Sequence, residues 1–177
     1  MALEFTILTA ARTNETTGAT LREFDLAAKV WTVPGDRMKA GKEHPVPLSP
    51  RAIKIVQDAM SLHGASPKAT APLFIGNRKD RHLSNGAMLA VLDRMGRGNI
   101  TVHGFRSTFR DWAAECSNFP NQVVEMALAH SIEDKAEAAY RRGDLFNKRL
   151  ALMSAWASYC EAARGSVVPM SKAKVGA

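Results

Sequence analysis

Four side chains arrive in a fixed order in the later part of this 177-residue sequence: His103 and Arg106 in TVHGFRSTFRDW, His130 in EMALAHSIED, and Tyr140 in AAYRRGD. A further arginine, Arg12 of LTAARTNE, stands in a turn-like setting near the start. No carboxylate cluster or metal-ligand spacing accompanies them, so neither a metal nor any other cofactor is expected. Cationic donors grouped with one phenol suit the attack of a tyrosine on a phosphodiester. In-line phosphoryl transfer gathers negative charge on the non-bridging oxygens, and fixed arginines and histidines can neutralise it without a metal. Arginine is the apt residue because its planar fork donates two hydrogen bonds at once.

The sequence has only two tyrosines. Tyr159 falls in an amphipathic stretch near Trp156, where packing is the expected role. Tyr140 is followed by Arg141 and Arg142 in a polar stretch. A phenol has an ordinary pKa of about 10, so it becomes a nucleophile only where a base or nearby cations favour phenolate. Lys39 stands in the basic segment RMKAGKEH beside Arg37 and Lys42. A lysine there could protonate a leaving 5′ oxygen, and Lys42 is nearly as well placed. Each of these residues has a plainer reading when taken alone: Arg12 as a helix-end charge, His103 as a helix cap, Arg106 as a surface salt bridge, His130 as a core histidine, and Tyr140 as a half-buried surface tyrosine.

Lysine and arginine number 24 against 17 acids, a net charge of +7 and a pI near 9.7. That balance favours a polyanionic partner, with nucleic acid first. Cys116 and Cys160 lie apart in helix-like segments and read as two buried thiols in a reducing cytoplasm. No apolar run reaches the roughly 18 residues of a membrane span, and the N-terminus lacks the features of a signal peptide. The expectation is a soluble, cytoplasmic, nucleoid-associated protein without a membrane or small-molecule partner.

The elements that must hold these residues are mostly helical. Leu3 to Ala11 is helix-compatible and begins abruptly. Phe24, Leu26 and the run Val30–Val33 read as strands, and HPVPLS as a second extended segment, so that PGDRMKAGKEH becomes the basic tip of a hairpin. Ser49 and Pro50 open a helix to about His63. LFI (73–75) is a short strand candidate, NRKDRH a basic loop, and Ser84 the expected cap of a helix to about Met95. Beyond His103, Phe105, Phe109, Trp112 and Ala113 share one helical face, while His103, Arg106 and Arg110 occupy another that stays available to a ligand. Pro120 opens a helix ending near His130, and Leu145, Leu152, Met153 and Trp156 mark the last. The sum is a mainly α fold with a small antiparallel β-sheet (α+β), spanning residues 1–164, with 165–177 as a flexible tail.

The ordered series LTAARTNE, RMKAGKEHPVPLS, TVHGFRSTFRDWAAE, EMALAH and AAYRR resembles the catalytic domain of tyrosine recombinases, and more narrowly that of prophage and genomic-island integrases. The resemblance runs from about Leu3 to Ala163. It implies Arg12 as the first phosphate-binding arginine with Glu15 as its acidic companion, Lys39 as general acid, and His103 and Arg106 as the His-x-x-Arg pair. It implies His130 as the later phosphate-bonding histidine and Tyr140 as nucleophile. Arg37, Lys42, Arg110 and Arg141 would add contacts to DNA. The implied reaction is cleavage and rejoining at double-stranded attachment sites through a 3′-phosphotyrosyl intermediate, without metal or ATP, by a tetramer assembled on DNA. Two residues depart from the family pattern: Ala10 stands where glycine is usual, and Leu21 where tryptophan is frequent. The match leaves no room for the DNA-binding domains that precede the catalytic domain in the family. The chain is therefore read as that domain alone with a clipped first helix, either an excised piece or a truncated, inactive remnant that only binds DNA or partner recombinases. A topoisomerase sharing the tyrosine chemistry fits the same residues; a metal-dependent nuclease fits them less well.

Overall fold

A computed structural model describes residues 1–76, 81–130 and 144–162. Tyr140, Arg141 and the tail at 165–177 lie outside the described residues. The order is helix α1 (Ala2–Thr9), α2 (Thr13–Thr17), strands β1 (Phe24–Asp25), β2 (Val30–Val33) and β3 (His44–Pro47), then helices α3 (Pro50–Met60), α4 (Ala87–Arg94), α5 (Gly104–Glu115), α6 (Asn121–Ala127) and α7 (Phe146–Glu161). The three strands form one antiparallel sheet in the order β1-β2-β3, with Phe24 opposite Trp31 and Trp31 opposite Val46. The expected α+β architecture with a basic hairpin is the one observed.

Local chemistry accounts for the element boundaries. Ser49 Oγ accepts a hydrogen bond from Ala52 N at 3.2 Å, and Pro50 takes the first position of α3, where its missing N–H costs nothing. Ala52, Ile55, Val56 and Ala59 of that helix are buried at helical spacing. Trp31 and Val33 of β2 point inward while Val30 and Thr32 lie at the surface of the core, the alternation of a strand covered on one face. Gly35 and Gly41 close the hairpin: a Cβ on Gly35 would stand 2.7 Å from Gly41 O, and Gly41 itself has φ +67°.

Two main cores result. Phe5, Trp31, Leu48, Ile55, Leu73 and Phe74 form one, in which the Phe5 ring lies 5.2 Å from that of Trp31 and 5.6 Å from that of Phe74. Phe109, Trp112, Leu128, Leu152, Met153 and Trp156 form the other. Tyr159 packs its ring against Trp112 and Trp156, as expected for a packing tyrosine. Helix α1 contacts α2, α3, α4 and α7, and so joins both cores. Such ring contacts stabilise by about 0.5–1.5 kcal/mol beyond their buried area.

Several expectations need correction. Ser84 does not cap α4 with its side chain; Gly86 is the capping residue, and Ser84 contributes only its carbonyl, to Ala87 N at 3.0 Å. Residues 73–75 form no strand: Ile75 makes an isolated bridge to His82, and Pro72 one to Thr20. Phe105 packs with Met88, Leu92 and Val102 rather than with Phe109 and Trp112, because the first turn of α5 reaches α4 and the later turns reach α6 and α7. Cys116 and Cys160 are exposed, not buried. The largest correction concerns Arg106: the polar face of α5 is not uniformly open, and this arginine is 6% exposed.

Candidate active site

Arg12 is placed by the way α1 ends. Ala10 adopts a left-handed conformation (φ 49°, ψ 27°), and the turn closes with Ala10 N donating to Ile7 O and Ala11 N to Thr6 O, both at 3.2 Å. The reversed chain then opens α2 with Arg12 at its N-cap. Glu15 reaches back from the first turn of α2, accepting from Arg12 N at 2.8 Å and from Arg12 Nη1 at 2.7 Å. Glu15 is 4% exposed and Arg12 28%. The carboxylate therefore fixes the base of the arginine and leaves its outer edge to the solvent side.

Arg106 lies behind this turn. Its Nη1 donates to Ala10 O, and its Nη2 to Leu128 O at 2.8 Å. Ala10 caps the C-terminus of α1, and Leu128 that of α6. Helix C-termini carry carbonyls without intrahelical partners and the negative end of the dipole, so a buried guanidinium satisfies both. Burial, and then the neighbouring charge of Arg12, lower the Arg106 pKa to about 10, so it remains a cation. Arg106 thus ties together the two turns from which Arg12 and His130 emerge, each two residues beyond a carbonyl it holds.

His130 follows Ala129, a second left-handed residue at φ 49°. Its Nδ1 stands 2.6 Å from Glu125 Oε2. Arg110 on α5 places Nε 3.0 Å from Glu125 Oε1; the approach lies off the hydrogen-bond direction, and Oε1 is buried without accepting a hydrogen bond. Lys39 comes from the hairpin. Met38 beside it is buried in the first core, which anchors the tip, while Lys39 is exposed.

Arg12, Lys39, Arg110 and His130 line one open cleft of about 550 Å³, together with Ala40, Asn121, Glu125 and Ala129. A larger cavity of about 610 Å³ lies by α1 and α4, with Leu3, His82, Met88, Val91 and Arg94 in its walls. It contains none of the expected residues, so the chemistry favours the smaller cleft. His103 caps α5 through its backbone, is exposed, and is not in the wall of the cleft. Arg37 is turned inward: it pairs with Glu23 and donates to Glu15 O at 2.9 Å, bracing the hairpin against α2. Lys42 is exposed on the hairpin, away from the lining. Tyr140 and Arg141 lie outside the described residues. Among the described residues no group of His, Cys, Asp or Glu could hold a metal ion, and no helix is long and apolar enough to cross a membrane.

The sequence profile of the phage integrase family matches residues 1–144. The chain belongs to the phage integrase family. This integrase-family chain is 33% identical over 171 residues to prophage integrase IntA of Escherichia coli K12, a match covering 96% of this chain and 40% of IntA. It is 33% identical over 157 residues to prophage integrase IntZ of the same strain, covering 88% of this chain and 38% of that one. It thus spans about two-fifths of the length of these relatives. The crystal structure of XerA recombinase superposes with a TM-score of 0.56 at 13% identity, over 92% of this chain and 63% of that one. The fold is that of the tyrosine recombinases.

Glu125 and Asn121 of the cleft wall were not singled out by motif. A signal for them existed: they are four residues apart on α6, on the turns leading into His130, and so share a helical face.

Proposed function

We propose that this chain carries the catalytic centre of a site-specific DNA recombinase of the prophage integrase type. The observation that carries this reading is the convergence of Arg12, Lys39, Arg110 and His130, from four separate segments, on one cleft, with Arg106 fixing the turns behind it. A phosphodiester in that cleft would have its non-bridging oxygens among cationic donors. Removing one donor of this kind typically costs about 3 kcal/mol of transition-state stabilisation.

In the proposed reaction Tyr140 Oη attacks the scissile phosphorus and passes its proton to His103. The bond from phosphorus to the 5′ oxygen breaks, and a 3′-phosphotyrosyl bond forms. Lys39 donates the proton that the 5′ oxygen takes up. Arg12 and His130 hold the developing charge, and Arg106, which the resemblance makes the second phosphate-binding arginine, serves them from behind by fixing the turns that carry them. A 5′ hydroxyl from a second strand reverses the step. The bond energy is conserved in the covalent link, so neither ATP nor a metal is needed. The substrate is a pair of double-stranded attachment sites, and the working assembly is a tetramer on DNA.

Covalent capture on a nicked suicide substrate, followed by a denaturing gel, tests the assignment. The chain forms a protein–DNA adduct, and Tyr140→Phe abolishes it while non-covalent binding is retained. An adduct that persists in Tyr140→Phe refutes the nucleophile. DNA binding by the unaltered chain with no adduct supports the remnant that only binds, and plasmid relaxation without paired sites supports a topoisomerase.

A further inference from the structure

We infer that Glu125 is a positioning residue of this cleft, holding His130 and Arg110 as one unit and committing Nδ1 of His130 to the protein so that Nε2 is the ring nitrogen left for a bound phosphate. The identity of that phosphate rests on the recombinase reading above; the positioning itself does not.

A carboxylate only accepts hydrogen bonds, whereas a neutral imidazole donates from one nitrogen and accepts at the other. With Glu125 Oε2 at 2.6 Å, the proton must sit on Nδ1. Whether the ring is neutral or charged, Nδ1 then donates inward, and Nε2 is the nitrogen that meets a ligand. A partner that fixes one ring nitrogen in this way sets both the tautomer and the ring orientation.

The pair is not a product of helix geometry. Glu125 and His130 are five residues apart, and side chains on a helix meet at three or four. They meet because the chain leaves α6 at Leu128 and Ala129 turns left-handed. His130 N then donates to Glu125 O at 3.0 Å, closing the turn. Arg106 holds the same turn from beneath through Leu128 O, and Glu125 holds its side chain from the front.

The position also argues against a merely local role. An acidic residue near a helix C-terminus opposes the helix dipole, so Glu125 gains nothing from α6 itself. Its Oε1 is buried and accepts no hydrogen bond, with the Arg110 guanidinium as its charge partner. Arg110 and His130 both line the cleft with Arg12 and Lys39. Among the described residues of that wall, the one carboxylate therefore sits between the two basic side chains it can aim.

Two measurements on the full chain test this. Long-range proton–nitrogen NMR on ¹⁵N-histidine protein reads the ring tautomer without DNA. The unaltered chain and Glu125→Gln, whose amide oxygen still accepts, show His130 protonated at Nδ1 in its neutral form, and Glu125→Ala shifts it toward Nε2. The rate of adduct formation on a suicide substrate falls about 10–100-fold in Glu125→Ala, the usual loss when a positioning partner is removed. Non-covalent DNA affinity changes far less, and Glu125→Gln recovers most of the rate. An unchanged tautomer in Glu125→Ala overturns the inference, as does failure of Glu125→Gln to recover the rate while its thermal melt matches the unaltered chain. A tautomer shift with no adduct from the unaltered chain upholds the positioning and overturns the recombinase reading instead.

Discussion

Arg106→Lys is the substitution that most directly probes how the cleft is assembled. The guanidinium spans two carbonyls that belong to different helices, Ala10 O beyond α1 and Leu128 O beyond α6. A lysine keeps the charge but replaces the fork by a single ammonium, which can reach one of these carbonyls and not both. The loss is then one hydrogen bond to a charged group, about 1.5–3 kcal/mol. Burial deepens it. The Arg106 pKa, lowered by burial to about 10, already reflects an unfavourable environment for the cation, and an ammonium is more strongly hydrated than a guanidinium. With an m-value of about 2 kcal/mol/M, a loss of about 2 kcal/mol moves the urea midpoint down by about 1 M. Equilibrium urea unfolding followed by circular dichroism measures this directly. The substitution also frees one of the two turns that deliver Arg12 and His130, so adduct formation on a suicide substrate falls even where the protein remains folded. A midpoint that moves by less than about 0.3 M would show that the two carbonyls do not depend on the fork, and the account of Arg106 as a tie between helix ends would be wrong.

Three further substitutions probe separate features of the fold. His44 at the start of β3 is held neutral, its pKa lowered from 6.5 to about 4 by burial and by the nearby charge of Arg149. The unfolded chain therefore binds a proton between these values that the folded chain refuses, and stability falls as pH drops from 6.5 through 4, by roughly 3 kcal/mol in all. Urea midpoints across this range, compared between the unaltered chain and His44→Gln, isolate that slope; equal slopes refute it. Lys29 is exposed in the turn before β2 with φ 59°, so Lys29→Gly relieves left-handed strain and raises stability by about 0.5–1 kcal/mol. Ala10→Gly relieves the same strain but removes a buried methyl that contributes about 0.8 kcal/mol, so its thermal midpoint stays close to that of the unaltered chain.

The Ala10 comparison also bears on what was legible beforehand. Glycine is usual at that position in the resembling family, and the structure supplies the reason: the turn before Arg12 is left-handed. The hairpin was readable because Pro34, Gly35 and Gly41 interrupt two extended runs, and α3 because Ser49 and Pro50 mark its start. The helix after His103 was readable too, but the partition of its faces was not. Spacing placed Arg106 with His103 and Arg110, whereas only Arg110 of the three enters the wall of the cleft.

Residue types and their order along the chain determined the chemistry available here: two arginines, two histidines, a hairpin lysine and a phenol, on a strongly basic chain. Those are properties of side chains and of local spacing, and they survive without a fold. The tertiary structure alone decided which of them meet, which are buried and what they hold. Arg106 is internal because unpaired carbonyls of α1 and α6, 96 and 22 residues away, are brought to its fork by packing. Glu125 becomes a partner of His130 and Arg110 because α6 ends in a left-handed turn against α5. Hydrogen-bond partners at helix ends are supplied by whichever elements pack there, and no local pattern encodes that choice.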